Sequence, residues 1–376
     1  MGDLIMAKEK IKYYSLKNIL EKNARYNLIF GERSNGKTYS VLEYGIRQYV
    51  EKRKQMAIVR RYDLDFQGKR GATMFDNLAS QGKIIEMTGG QWSSVTYYSG
   101  RWYLSRRDEE LGKNVLDETP LAYAFSLASM EHDKSTSYPN VTTVLFDEFI
   151  ASGVYLMDEF ITFMHVLSTI IRDRDDVIIF MLGNTRRGAK HDSLYFREMG
   201  ITNVKKMQKG DIDVYHYGES KLVVAVEFAD SPNKGKPSDV YFAFNNPRLQ
   251  MITTGSWELD IYPHKPVDFD PKDIRFIFFI KYDGEILQSE IVRKDRMTFL
   301  FIHRKTGEIR DPDKALIYSP DYDPRPNWRR NIKKPMTPAE KKITYFFAAE
   351  KVYFQDNEIG ELMNSYLLWC GNAGRV

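Results

Sequence analysis

The chain is poor in residues that staple or chelate. A single cysteine, Cys370, in 376 residues excludes an intrachain disulfide and a cysteine-rich zinc site. Six scattered histidines form no H-x-x-x-H pair, which argues against structural metal. No apolar run approaches the ~18 residues that a membrane span needs. Residues 1–10 alternate charge and lack the apolar centre of a signal peptide. A reducing, cytosolic setting and no membrane partner are expected. An excess of one charge is missing too: 55 Lys and Arg stand against 51 Asp and Glu, a net +4. Any groove for nucleic acid must therefore come from local clustering.

What is present is ample core material. With 43% hydrophobic residues, 22 Phe, 24 Tyr and 5 Trp, the chain can pack two or three domains. The most specific stretch is Gly31-Glu32-Arg33-Ser34-Asn35-Gly36-Lys37-Thr38, directly after Leu28-Ile29-Phe30. It fits G-x-x-x-x-G-K-[ST], which arises by chance somewhere in such a chain with odds of roughly one per cent. The glycines let backbone N–H groups curl around phosphate oxygens, and the following helix adds its positive end. Lys37 would reach the β- and γ-phosphates, and the Thr38 hydroxyl would ligate Mg2+. Val41, Leu42, Gly45, Ile46, Tyr49 and Val50 then recur at helical spacing, so strand, loop and helix stand in the required order. ATP and Mg2+ are the cofactors implied.

Val141 to Phe146 reads as a buried strand delivering Asp147-Glu148, a Walker B pattern. Asp147 would hold Mg2+ through water and Glu148 would polarise the attacking water. A helix over about 157–171 and a strand over 177–182 follow, closing on Gly183-Asn184. Asn184 is the candidate γ-phosphate sensor. Arg60 and Arg61, ending a strand over 55–61, either sense nucleotide or substrate or form a solvated strand end. Arg172 and Arg174 lie too far along to face their own phosphate. They are arginine fingers for a neighbour or basic caps on a helix C-terminus. A helix near 73–80, short strands at 84–87 and 94–98, a hairpin through Ser99-Gly100 and a strand over 121–127 complete this half. A strand between the Walker A and Walker B strands, with a carboxylate after the Walker B Asp, marks the glutamate-switch (ASCE, RecA-like) P-loop class, an α/β fold with a mainly parallel sheet.

Together, Gly31 to Thr38 with Arg33 inside the loop, Ile58-Val59-Arg60-Arg61-Tyr62, Ser137 to Ile150 and Arg172-Asp173-Arg174 resemble the DNA-packaging ATPase, or DNA encapsidation protein, of phi29-like tailed bacteriophages. The resemblance is specific over about 25–190. It implies a homopentameric ring at the portal (connector) vertex of a procapsid in the host-cell cytoplasm, driving double-stranded DNA inward by ATP hydrolysis. It also implies roles by position. Gly31, Glu32, Arg33, Ser34, Asn35, Gly36, Lys37 and Thr38 bind nucleotide, Thr38 and Asp147 serve the metal, and Glu148 and Lys37 are catalytic. Arg174 is the better match to the trans-acting finger and Arg172 the second. Lys134 falls where loops grip DNA, or is an ordinary loop lysine.

The expected domains are a P-loop ATPase over 1–200, a linker subdomain over 201–265 and a C-terminal domain over 266–376. Strands over 274–280, 286–292 and 297–302, the first two joined at Asp283-Gly284, open the last domain as RNase H-like nucleases begin. Cleavage by two metals needs converging carboxylates, and Glu350, Asp356, Glu358 and Glu361 lack strand-end placement. The resemblance implies a vestigial nuclease domain that docks, in phi29-like motors on a structural RNA. Arg325, Arg329, Arg330, Lys333 and Lys334 around Trp328 offer phosphate and base contacts, or form a solvated linker. The rival readings are a terminase with a live nuclease, a non-translocating ATP-dependent scaffold or switch, and a hexameric helicase.

Overall fold

In the computed structural model, residues 14–372 are described apart from 32–34, 111, 133–136, 152–154, 157, 185–193, 219–221, 231–261 and 283. The chain divides into two compact units. Described residues up to Asp230, except Tyr155 and Leu156, lie in the first, and those from Tyr262 lie in the second. Among the described residues no helix is long and apolar enough to cross a membrane.

The first unit opens with α1 (Lys17–Leu20), β1 (Tyr26–Gly31), α2 (Lys37–Lys52) and β2 (Gln55–Arg60). Three short helices follow, α3 (Lys69–Ala72), α4 (Asp76–Ser80) and α5 (Lys83–Met87). Then come β3 (Ser94–Tyr98), β4 (Arg101–Asp108), β5 (Lys113–Leu116), β6 (Ala122–Ser126) and β7 (Val141–Asp147). The unit continues with α6 (Glu159–Ile171), β8 (Ile178–Asn184), α7 (Leu194–Glu198), β9 (Ile212–Tyr217) and β10 (Leu222–Ala229). One sheet collects every strand, in the order β3-β4-β6-β2-β7-β8-β1-β10-β9 with β5 on β4. From β6 to β10 all neighbours run parallel, and antiparallel strands close both edges.

Parallel strands are covered on both faces, which is why the sequence reads as unbroken apolar runs there. Leu28, Ile29 and Phe30 in β1 and Val144, Leu145 and Phe146 in β7 are all fully buried. Helix α2 buries Val41, Leu42, Ile46 and Tyr49 against this sheet as one stripe. The expected intervening strand is β8, hydrogen-bonded to β1 on one side and β7 on the other. Strand C-terminal ends therefore gather beside the β1–α2 loop, where open parallel sheets bind ligands.

Two expectations needed correction. Ile84 to Met87 is not a strand but α5, because only Ile84 is buried while Ile85 is exposed. One apolar side is too little for a strand inside a sheet, and a Lys83–Glu86 ion pair at 2.7 Å supports the helical turn. The described part of 201–265 also does more than link. β9 and β10 extend the first sheet, with Tyr26 to Gly31 paired to Val224 to Ala229. The apolar run Leu222 to Phe228 needed a partner edge, and the outer side of β1 supplied it.

The second unit contains β11 (Ile274–Tyr282), β12 (Glu285–Lys294), β13 (Met297–Arg304), β14 (Ile317–Tyr318) and β15 (Trp328–Arg329). It ends with α8 (Pro338–Ala348), β16 (Val352–Phe354) and α9 (Asn357–Asn372). The sheet order is β15-β14-β11-β12-β13-β16. The first three strands form an antiparallel meander in which Tyr282 pairs with Glu285, and Asp283 of the expected turn lies outside the described residues. β14, β15 and β16 add in parallel. Ile343 and Phe346 of α8 and Ile359, Met363 and Tyr366 of α9 pack on Phe278, Ile280, Leu287 and Leu300. Helix α8 starts as its sequence dictates: Thr337 accepts from Glu340 N at 3.2 Å, and Pro338 follows.

Candidate nucleotide site

The loop between β1 and α2 has the backbone its glycines permit. Gly36, capping α2, has φ 93°, a left-handed value that costs glycine nothing. Gly31 lies so near β10 that a Cβ would stand 2.8 Å from the Ala229 carbonyl oxygen. Lys37 is buried and its ammonium donates to Gly31 O at 3.3 Å, Asn35 Oδ1 at 3.1 Å and Asn184 Oδ1 at 3.4 Å. The Thr38 hydroxyl donates to Asp147 Oδ1 at 3.2 Å. Residues expected to act together from opposite ends of a 150-residue stretch thus converge. They line one cleft of about 430 Å3 with Asn35, Gly36, Arg60 and Glu148.

The cleft suits a nucleotide with Mg2+. Among the described residues Asn35 Nδ2 is buried with no hydrogen-bond partner, a cost of about 1–3 kcal/mol unless a ligand accepts a hydrogen bond from it. A hydroxyl and a carboxylate meeting at 3.2 Å form the hard-oxygen pair that Mg2+ prefers, with its remaining positions left to phosphates and water. Glu148 sits at the cleft mouth, its side chain 51% exposed. Its φ of 66° places a non-glycine residue in the left-handed region, at roughly 1–3 kcal/mol. Such strain persists only where neighbours hold it, and it aims the carboxylate out of the strand line.

The two strand-end arginines take different positions. Arg60 enters the cleft, 2.5 Å from Asp147 Oδ2 and 3.8 Å from Glu148 Oε2. Arg61 reaches neither nucleotide nor solvent. It is buried and paired with the fully buried Glu159 at the start of α6. Neighbouring residues at a strand end face opposite sides, so one sequence cue covered two roles.

Other expected residues stand apart from the cleft. Arg174 donates to the carbonyls of Pro139 (2.9 Å), Val141 (2.7 Å) and Ile170 (2.8 Å), joining the α6 C-terminus to the start of β7. It lies at the end of β7 opposite Asp147. Arg172 is exposed, at the end of α6 with φ 51°. Glu32, Arg33, Ser34 and Lys134 lie outside the described residues. In the second unit, Arg325 pairs with Asp323 at 2.7 Å and Asp313 at 2.9 Å, and lies 4.6 Å over Trp328. Its hydrogen bond, above all, holds the Asp323 carboxyl down to about 2. Arg329 pairs with Glu340 at 3.0 Å, and Arg330 lies over Trp369 at 5.8 Å. Of that basic cluster, Lys333 and Lys334 are exposed.

Tyr39, Asn77 and Gln81 also line the cleft and carry no motif signal. The Tyr39 hydroxyl donates to Gln81 at 3.0 Å, so the short helices after β2 form one wall. Tyr14 straps the loop: its N–H donates to Asn35 O at 2.9 Å, its carbonyl accepts from Ser40, and its hydroxyl donates to Glu227 at 2.5 Å. Burial raises the Glu227 carboxyl above its usual range, against the lowering effect of the Tyr14 hydrogen bond.

Comparisons agree with this geometry. The profile of the Podovirus DNA encapsidation protein (Gp16) family matches residues 8–90 and 110–292. The DNA packaging protein of Bacillus phage PZA is 22% identical over 283 residues, 73% of this chain and 74% of the relative. That of Bacillus phage phi29 is 21% identical over 279 residues, 73% and 74% of the two chains. Among solved structures, the Phi-28 gp11 DNA packaging motor superposes with TM-score 0.53 at 18% identity, covering 96% of this chain and 98% of that one. The bacteriophage Phi-29 viral genome packaging motor assembly gives TM-score 0.53 at 18% identity, covering 94% and 99%. At these identities the superpositions establish a shared fold, and the family assignment rests on the profile. The chain belongs to the Podovirus DNA encapsidation protein (Gp16) family, the DNA packaging proteins of such phages.

Proposed function

We propose that the chain is an ATP-hydrolysing motor that translocates double-stranded viral DNA into a procapsid as a ring of subunits. One observation carries this reading: Lys37, Thr38, Asp147, Glu148 and Asn184 converge on a single cleft, beside an Asn35 Nδ2 that has no partner among the described residues. Lys37 binds the β- and γ-phosphates of ATP, and Asn184 registers the γ-phosphate through the ammonium it already contacts. Thr38 and Asp147 would hold Mg2+, which would supply positive charge beside the phosphates. Glu148 orients the attacking water and takes its proton. Arg60, bridging Asp147 and Glu148, keeps both carboxylates aimed into the cleft. The β10-β1-β8-β7-β2 order supports the glutamate-switch (ASCE, RecA-like) class.

A ring, in phi29-like motors a pentamer at the portal in the host cytoplasm, lets a neighbouring subunit add an arginine finger to this cleft. Arg172 suits that role better than Arg174, whose guanidinium is occupied by carbonyls of its own unit. Lys134 keeps its proposed contact with DNA. The second unit's order β13-β12-β11-β14-β15 fits an RNase H-like domain. No group of three or more potential metal ligands gathers among the described residues, which favours a vestigial nuclease that docks, on portal or structural RNA, over one that cuts.

The test is phosphate release with and without DNA. Glu148→Gln is expected to bind ATP normally and to lose turnover about a hundredfold or more. DNA-stimulated turnover in the wild type separates a motor from a scaffold that merely binds ATP, and unstimulated turnover would favour the scaffold.

A further inference from the structure

We propose that Arg61 is a positioning residue for Glu148, acting through the backbone rather than through the substrate. The inference rests on Glu148 being the group that orients water. Arg61 Nη1 donates to the Glu148 carbonyl at 3.2 Å and Nη2 to the Phe149 carbonyl at 3.3 Å. Nε and Nη2 also grip the two oxygens of Glu159, at 2.7 and 2.8 Å. Glu159 is fully buried and accepts a third bond, from the Tyr195 hydroxyl at 3.0 Å. A planar guanidinium fork thus spans a carboxylate and two consecutive carbonyls, a geometry that a lysine ammonium cannot reproduce.

The carbonyls involved are those that follow the left-handed Glu148, with φ 66°. Fixing their peptide planes fixes the direction of the Glu148 Cα–Cβ bond, hence where its carboxylate points. A buried ion pair of this kind seldom adds net stability over apolar packing, so orientation is the better reason for its presence. The network also joins β2 to α6 and α7, so Glu148 is aimed by three elements on the far side from the cleft. No sequence motif marks it: Glu159 and Tyr195 lie 98 and 134 positions from Arg61 and belong to no nucleotide pattern.

The test uses the full chain, with kcat and KM for ATP and titration with a fluorescent ATP analogue. Arg61→Lys keeps a cation for Glu159 and is expected to lower kcat at least about tenfold while KM and analogue affinity stay within about twofold. Tyr195→Phe keeps the ion pair and the ring contacts with Phe146 and Phe163, and is expected to lower kcat about two- to threefold while KM and analogue affinity stay unchanged. In a Glu148→Gln background Arg61→Lys should reduce residual turnover no further, because the residue it aims is gone. Unchanged kcat in both Arg61→Lys and Tyr195→Phe, or losses that multiply in the double variant, would overturn the proposal. Where Arg61→Lys fails to fold, Tyr195→Phe decides alone by the same criterion. Full turnover by Glu148→Gln would overturn the reading of Glu148 and this proposal with it, an outcome distinct from the others.

Discussion

The two units treat charge in opposite ways. In the first, Lys37, Arg60, Asp147 and Glu148 come from two strand ends and a helix start to face one cleft. In the second, charges are consumed in local pairs: Arg304 with Glu285 and Glu358, Arg325 with Asp323, Arg329 with Glu340, His303 with Glu290. Charged groups gathered from separate elements onto one cleft cost folding free energy, so they mark a place where a ligand completes the bonding. Paired groups need no further explanation than the fold. The acidic residues in these pairs are accounted for by their own partners.

That contrast is sharpest at Lys37. Lys37→Ala removes the ammonium that three oxygens surround, and is expected to weaken ATP-analogue binding about a hundredfold, roughly 2.7 kcal/mol. Arg325→Ala, in the paired unit, should leave that affinity unchanged. Equal losses in a fluorescence titration would break the comparison. A smaller effect separates the finger candidates. Arg174→Ala strands the Pro139, Val141 and Ile170 carbonyls, and should destabilise the first unit by about 2 kcal/mol in urea unfolding. Arg172→Ala should leave stability within ~0.5 kcal/mol yet depress turnover when mixed with wild-type subunits. Turnover proportional to the wild-type fraction would argue against a shared site.

The cleft was largely legible because its chemistry is written in contiguous words. The loop Gly31 to Thr38 and the Asp147-Glu148 pair each combine a strand end with a required residue type, so position and role arrive together. Asn184 followed from being at the tip of the next strand. Arg172 and Arg174 could not be told apart, because two arginines two residues apart carry the same local signal. Only the approach of Tyr138 to Val141 reveals that one of them closes carbonyls. Tyr39, Asn77 and Gln81 were invisible as cleft residues: the helix after the loop and the one near 73–80 are legible, but nothing in their patterns says that they meet beside the cleft. The extension of the sheet by β9 and β10 was hidden for a different reason. An apolar run announces a strand but not which edge it joins, and the polar β9 (Ile212–Tyr217) announces little at all.

The smallest predicted effect probes the paired unit itself. Burial opposes the charged form of His303, but the hydrogen bond and charge of Glu290 at 3.3 Å outweigh it and raise the imidazole above its usual value. Burial likewise opposes ionised Glu290, yet bonds from His303 and Gln288 hold its carboxyl below the usual range. The signs then differ. The His303 contribution is complete below about pH 6.5 and is lost as pH rises through the folded value. The Glu290 contribution is complete above about pH 4.5 and is lost as pH falls through its lowered value. The pair is therefore worth most between these limits, and melting temperature should fall on both sides by about 1–3 °C. His303→Gln should flatten the alkaline limb while leaving part of the acid limb, because Gln288 still donates to Glu290 at 2.6 Å. Glu290→Gln should flatten both. A melt series in which either variant keeps the wild-type profile would mean that this pairing is decorative, and that the second unit's charges are less committed than their geometry implies.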